Sequence, residues 1–129
     1  EAKSIPLVQE MARQNGDAHY IVARKGRKLY MDNPICVGVK SITTEKDQKL
    51  YVDQEEMEQM RGKRILIVDD VISTGRSLQA LEEIAAAAGA DVVGKMAVLA
   101  EGDAASRTDI SYLEKLPLFN GKGEPLPFD

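Results

Sequence analysis

The chain has 129 residues, 43% apolar and 29% charged, which suits one globular domain with a real core and excludes a collagen-like or disordered polypeptide. Lysine and arginine total 17 against 21 aspartates and glutamates, and the net charge of −4 argues against a general nucleic-acid or membrane-surface binder while leaving room for a local basic pocket. A single cysteine excludes an internal disulfide and a cysteine-based zinc site and fits a reducing compartment, and no run of about 18 consecutive apolar residues offers a membrane span.

The first segment, residues 4–16, reads as a helix. Ser4 is an N-cap, Pro6 falls in the first turn, Ile5, Val8, Met11 and Ala12 share a face, and Asn15-Gly16 is a stop signal. A short strand is expected over residues 20–23, followed by a basic turn, Arg24-Lys25-Gly26-Arg27-Lys28. Residues 35–42 and 49–52 read as two further strands, and the polar run 43–48 between them as a hairpin tip or flap. Asp53 with Glu56 three residues on forms a capping box for a short helix through Met60.

Arg64-Ile65-Leu66-Ile67-Val68 is an apolar run after a charged start, the pattern of a buried parallel strand. Residues 69–75 read as a loop. A helix follows from Arg76 to Ala88 with Leu78, Leu81, Ile84, Ala85 and Ala88 on one face, and Gly89 stands at its end. Residues 91–100 read as a strand and 111–116 as a last short one; the tail, with two glycines and three prolines, reads as irregular. Strand, loop, helix and strand between 64 and 100 make a βαβ unit, so an α/β sheet is the expected core.

Ligands of open α/β sheets bind at the carboxyl ends of the strands. Asp69 and Asp70 stand at such an end, ahead of a loop of small residues and a helix N-terminus. Carboxylates accept hydrogen bonds from sugar hydroxyls, loop N–H groups cradle an anion, and the helix dipole adds positive potential at the same place. Thr74 and Ser77 add hydroxyls. The loop is neither a Walker P-loop, lacking Gly-Lys-Ser/Thr, nor a dinucleotide fingerprint, having a single glycine.

Ile65-Leu-Ile-Val-Asp-Asp-Val-Ile-Ser-Thr-Gly-Arg-Ser77 resembles the phosphoribosyl-pyrophosphate (PRPP) signature of type I phosphoribosyltransferases at all thirteen positions. The resemblance implies an α/β fold of that type over residues 1–129: a mainly parallel central sheet flanked by helices, a flap hairpin at about 32–50, and a C-terminal tail at about 117–129. It gives Asp69 and Asp70 the ribose 2′- and 3′-hydroxyls, and Val71, Ile72, Ser73, Thr74, Gly75, Arg76 and Ser77 the 5′-phosphate. Glu1 to Leu7 resembles the family's pyrophosphate loop, with Ala2, Lys3 and Ser4 meeting the leaving group; taken alone, this stretch reads as a terminus with a cap.

Residues 21–31 look like the purine branch. In its adenine-type members the pattern Arg24-Lys25-x-x-Lys28 reaches the pyrophosphate, often across a dimer interface; the bland reading is a solvated turn. Residues 41–48 resemble the flap that closes over PRPP, with Glu45 more simply a solvated tip residue. Val71 and the pair Leu118-Phe119 are base-pocket candidates, although a packing strip explains the pair equally well. Cys36 and His19 read as structural.

The implied reaction is displacement of pyrophosphate from C1 of PRPP by a purine, adenine first, through an oxocarbenium-like transition state. Mg²⁺ is expected to be carried by PRPP, with no direct protein ligand. A cytoplasmic homodimer is expected, with no membrane partner and no nucleic acid. Competing readings are the same chemistry on xanthine or hypoxanthine, and a PRPP-sensing transcription regulator of the same fold. The family's N-terminal helix, first strand and hood are expected before Glu1, outside this sequence, which leaves base choice the least legible property.

Overall fold

The computed structural model describes residues 2–26, 28–29, 34–39 and 48–128. A 3-10 turn, Ala2–Ser4, leads into helix α1, Ile5–Asn15. Proline in the first turn costs no hydrogen bond there, and Gly16, at φ +76°, closes the helix with its N–H on the carbonyls of Ala12 and Arg13. Ser4 occupies the cap position without capping, because its hydroxyl is turned towards Asp69.

Strands β1, Pro34–Val39, and β2, Gln48–Asp53, form an antiparallel hairpin. Helix α2, Gln54–Met60, starts on Asp53, whose carboxylate accepts from the Gln54 N–H at 2.9 Å. Glu56 takes up the backbone N–H of Asp53, the reciprocal half of the expected capping box.

The second sheet is parallel, in the order β3-β4-β5, from β3, Arg64–Ile72, β4, Asp91–Glu101, and β5, Ser111–Leu116. Helix α3, Arg76–Ala88, makes the crossover between β3 and β4 and ends at Gly89, φ +73°. α3 serves two apolar clusters. Ala80, Ile84 and Ala88 pack with Leu50 and Val52 of β2 and Met57 and Met60 of α2. Leu78 packs with Ile67, Ile72, Ala97 and Ala100 of the sheet. A helix apolar on two sides must be narrow to sit between its neighbours, which accounts for its alanines.

Two local expectations change. Residues 20–23 form no strand; the backbone there meets β2 in a single bridge at Arg24, whose N–H and C=O bond Tyr51 at 2.9 and 2.7 Å. β3 does not end at Val68. It carries both acids to Ile72 because β4 is long enough to pair on, Asp69 opposite Ala97 and Ile72 opposite Ala100. The described tail holds no helix or strand, as expected, but is tied to itself: Leu126 N–H bonds Leu118 C=O at 2.6 Å, and Asn120 Oδ1 accepts from Lys122 and Glu124, closing a turn. Glu1, Arg27, Glu45 and most of the flap lie outside the described residues.

Among the described residues no strand pairs with the outer edge of β3. A hollow of about 1050 Å³ runs along it, between α1, residues 17–21 and α3. No described helix is long and apolar enough to cross a membrane.

Candidate active site

The polar groups converge at the carboxyl end of β3, in a cleft of about 450 Å³ adjoining the larger hollow. Its walls include Lys3, Ser4, Lys25, Asp69, Asp70 and Ser77. The larger hollow is walled mainly by apolar side chains and reaches neither acid, so the chemistry belongs to the smaller space.

Asp69 and Asp70 are neighbours with different surroundings. Asp69 Oδ1 accepts the N–H of Asp70 at 2.8 Å, and the Ser4 hydroxyl lies 3.4 Å from the same oxygen, joining segments 65 residues apart. Asp70 Oδ1 accepts the N–H of Val71 at 2.8 Å. Burial pushes the Asp69 carboxyl above the ordinary aspartate value, and a hydrogen bond shared with Asp70 adds to it. Burial opposes ionisation of Asp70 as well, but hydrogen bonds from the Asp69 side chain and the Val71 N–H, with the Lys3 charge nearby, outweigh it and hold Asp70 below the ordinary value. Charge is thus disfavoured on Asp69 and favoured on Asp70. A vicinal diol, whose hydroxyls both donate and accept, can bond a carboxyl in either state.

The turn after β3 is tied down by an acid that sequence reasoning missed. Ser73 Oγ donates to Glu101 Oε1 at 2.8 Å. The available signal was register: with Ile72 opposite Ala100 on parallel strands, Ser73 and Glu101 are the next residues out. Thr74 Oγ1 accepts weakly from the Arg76 N–H at 3.4 Å. Gly75, at φ +83°, is the N-cap of α3 and supplies no side chain, so the helix begins uncapped by its own residue, with its positive dipole end at the turn. Thr74 and Ser77 are exposed, whereas the Ile72 side chain is buried in the core and only its backbone adjoins the turn.

The remaining candidates divide. Lys3 and Lys25 line the cleft; Arg24 and Lys28 do not. Arg24 pairs by its backbone with Tyr51, and its charge acts on Glu56. Ala2 sits in the turn ahead of α1. Val71 lines the cleft, but Leu118 and Phe119 lie apart from it: Leu118 rests on Gly102, where an added Cβ would meet it at 3.1 Å, and Phe119 is half exposed. Among the described residues no group of three or more histidines, cysteines, aspartates or glutamates could enclose a metal ion.

Two acids at a parallel strand end, a turn of small residues and a helix N-terminus thus meet in one cleft, and residues 1–117 match the family model of the phosphoribosyl transferase domain: the chain belongs to this family. The fold is of the type I kind, as a solved adenine phosphoribosyltransferase from Thermoanaerobacter pseudethanolicus illustrates, with a TM-score of 0.68 at 19% identity over 84% of this chain and 62% of that one. Among curated relatives, a hypoxanthine/guanine phosphoribosyltransferase of Methanococcus voltae is 34% identical over 107 residues, 83% of this chain and 53% of its own length. A xanthine phosphoribosyltransferase of Geobacillus thermodenitrificans is 35% identical over 75 residues, 57% of this chain and 38% of the relative. The chain thus spans about half the length of the first of these relatives.

Proposed function

We propose that the protein containing this chain transfers the phosphoribosyl group of PRPP to a purine base, releasing pyrophosphate and a nucleoside monophosphate. The observation that carries the reading is the meeting of Ser4 and Lys3 with the Asp69-Asp70 pair in one cleft beside the turn 73–77. Asp69 and Asp70 hold the ribose diol. The N–H groups of the turn and the start of α3 hold the 5′-phosphate. Lys3 and Lys25 face the side on which the pyrophosphate departs. As the C1–O bond breaks, positive charge grows on the ribose and negative charge on the leaving group, so the ionised Asp70 favours the first and the two lysines the second. None of these groups needs to form a covalent bond; their work is to fix the diol and the anion while the base nitrogen approaches.

Mg²⁺ suits such a site. Asp69 and Asp70 each have an oxygen engaged by a backbone N–H, leaving too few carboxylate oxygens for a protein cage, and a hard cation of this kind is ordinarily held by substrate phosphates with one or two carboxylates. When bound with PRPP it would neutralise pyrophosphate charge, with Asp69 and Asp70 the nearest protein groups.

On the base, the relatives in sequence favour a 6-oxopurine, hypoxanthine, guanine or xanthine, over the adenine suggested by the motifs alone. Adenine stays as the second reading on the strength of Arg24-Lys25-x-x-Lys28. The test is pyrophosphate release from PRPP and Mg²⁺ with each of adenine, hypoxanthine, guanine and xanthine, using the full-length protein. Turnover with one of the 6-oxopurines is expected. PRPP binding without turnover on any base would replace the enzyme by a PRPP sensor, and absence of PRPP binding would refute the reading as a whole.

A further inference from the structure

Arg107 lies outside every motif read from the sequence, yet its guanidinium ends at the phosphate turn. It follows the 3-10 turn Gly102–Ser106 that succeeds β4, and its N–H bonds the Ala104 carbonyl at 3.1 Å. Two guanidinium nitrogens are taken by one carboxylate: Nε donates to Asp109 Oδ1 at 2.8 Å and Nη2 to Asp109 Oδ2 at 2.6 Å. A fork of this kind fixes the plane of the group. The third nitrogen, Nη1, is aimed at Gly75, where a Cβ would come within 2.5 Å of it. Gly75 is the residue on which the turn reverses, at φ +83°.

The grip continues behind Arg107. Asp109 also meets Lys95 Nζ of β4 at 3.5 Å, and Lys95 pairs with Glu82 of α3. The four charges cancel at a distance, and the positive end of the network is the one that touches the turn. Pairing with Arg107 holds the Asp109 carboxyl well below the usual carboxylate range, so the Arg107–Asp109 fork is a charged pair at neutral pH.

We propose that Arg107 is a positioning residue for the 5′-phosphate turn: it braces Gly75 in the left-handed conformation so that the turn is shaped before the phosphate arrives. The inference rests on the phosphoribosyl reading above. A turn already ordered does not have to be ordered by its substrate, and that saving appears in PRPP affinity. An isolated surface ion pair would contribute little to anything and would leave affinity untouched.

The test compares the full-length wild type with Arg107→Met, Arg107→Lys and Asp109→Asn. Calorimetric titration with ribose 5-phosphate, steady-state kinetics, and hydrogen exchange at the amides of 73–77 are measured on each. Arg107→Met is expected to weaken ribose 5-phosphate and raise KM for PRPP by about tenfold, with kcat and KM for the base within about twofold of wild type. Exchange at 73–77 should quicken. Arg107→Lys should recover little, because an ammonium cannot make the fork, and Asp109→Asn should act in the same direction as Arg107→Met. If Arg107→Met does not fold, the other two variants carry the comparison. Wild-type affinity for ribose 5-phosphate in the folded variants would overturn the brace alone. A wild type that binds neither ribose 5-phosphate nor PRPP would overturn the phosphoribosyl reading, and the brace with it.

Discussion

Asp69→Asn and Asp70→Asn should differ in their effect on stability, although the residues are adjacent and the substitutions identical. Asp69 is pushed up by burial, so its folded form keeps a proton to higher pH than its unfolded form does. Stability from this residue therefore falls as pH rises from the unfolded aspartate value through the folded one, and then stays flat. Burial disfavours the charge on Asp69, and asparagine, uncharged, still offers an oxygen to the Asp70 N–H, so Asp69→Asn is expected within about 0.5 kcal/mol of wild type at pH 7. Asp70 is the reverse case. Its folded value is depressed, so its contribution is present above the unfolded value and is lost as pH falls through the folded one. Asparagine keeps an acceptor for the Val71 N–H at 2.8 Å but loses the charge that strengthens that bond, a cost of about 1 kcal/mol at pH 7. Urea unfolding of both variants and wild type at pH 7 and pH 3 measures this directly. The gap between the variants should narrow at pH 3. Asp69→Asn proving as destabilising as Asp70→Asn at pH 7, or a gap independent of pH, would refute the opposite shifts of the two carboxyls.

Other substitutions separate holding from folding. Gly75→Ala should cost about 1 kcal/mol for a left-handed alanine, with a further loss from contact with Arg107 Nη1, read as a lower Tm together with weaker PRPP binding. Lys3 is exposed, so Lys3→Ala should leave Tm unchanged while lowering kcat/KM for PRPP about tenfold, an effect that shrinks at high salt. Ser73→Ala removes the bond to Glu101 and strands that carboxylate, about 1 kcal/mol by urea unfolding, with Glu101→Gln in the same background expected to recover part of it.

Much of the core was legible because periodicity and punctuation agreed. Helix α3 and β5 have the bounds that the apolar spacing, Gly89 and the strand pattern gave. The acids and their turn were legible because short-range chemistry, acids then small residues then a helix, is written in consecutive positions. What escaped depends on pairing between distant segments. Nothing near Asp69 in sequence says that β4 is long enough to carry β3 past it. Nothing near residues 20–23 says that their contact with β2 will be a single bridge at Arg24. Glu101 and Arg107 act on the turn across 28 and more residues, through register and side-chain reach. Leu118 and Phe119 were drawn towards a base pocket by their apolar character, whereas Gly102 gives Leu118 a different seat.

α3 joins two parts of the molecule that the sequence keeps apart. Its first residue springs from the turn after β3, and further along the same rod Ala80, Ile84 and Ala88 bear on Leu50 and Val52 of the hairpin. Ala80 and Ala88 keep that seat close, since at each of them a methyl group is all the side chain that α3 offers, with Ile84 between them. Enlarging Ala80, buried at 2% exposure, to leucine would wedge the hairpin outward by about the depth of an isobutyl group while leaving the chemistry of the turn intact. The width of the cleft beside Leu50 is in this way gauged by two alanines, neither of which lines the cleft.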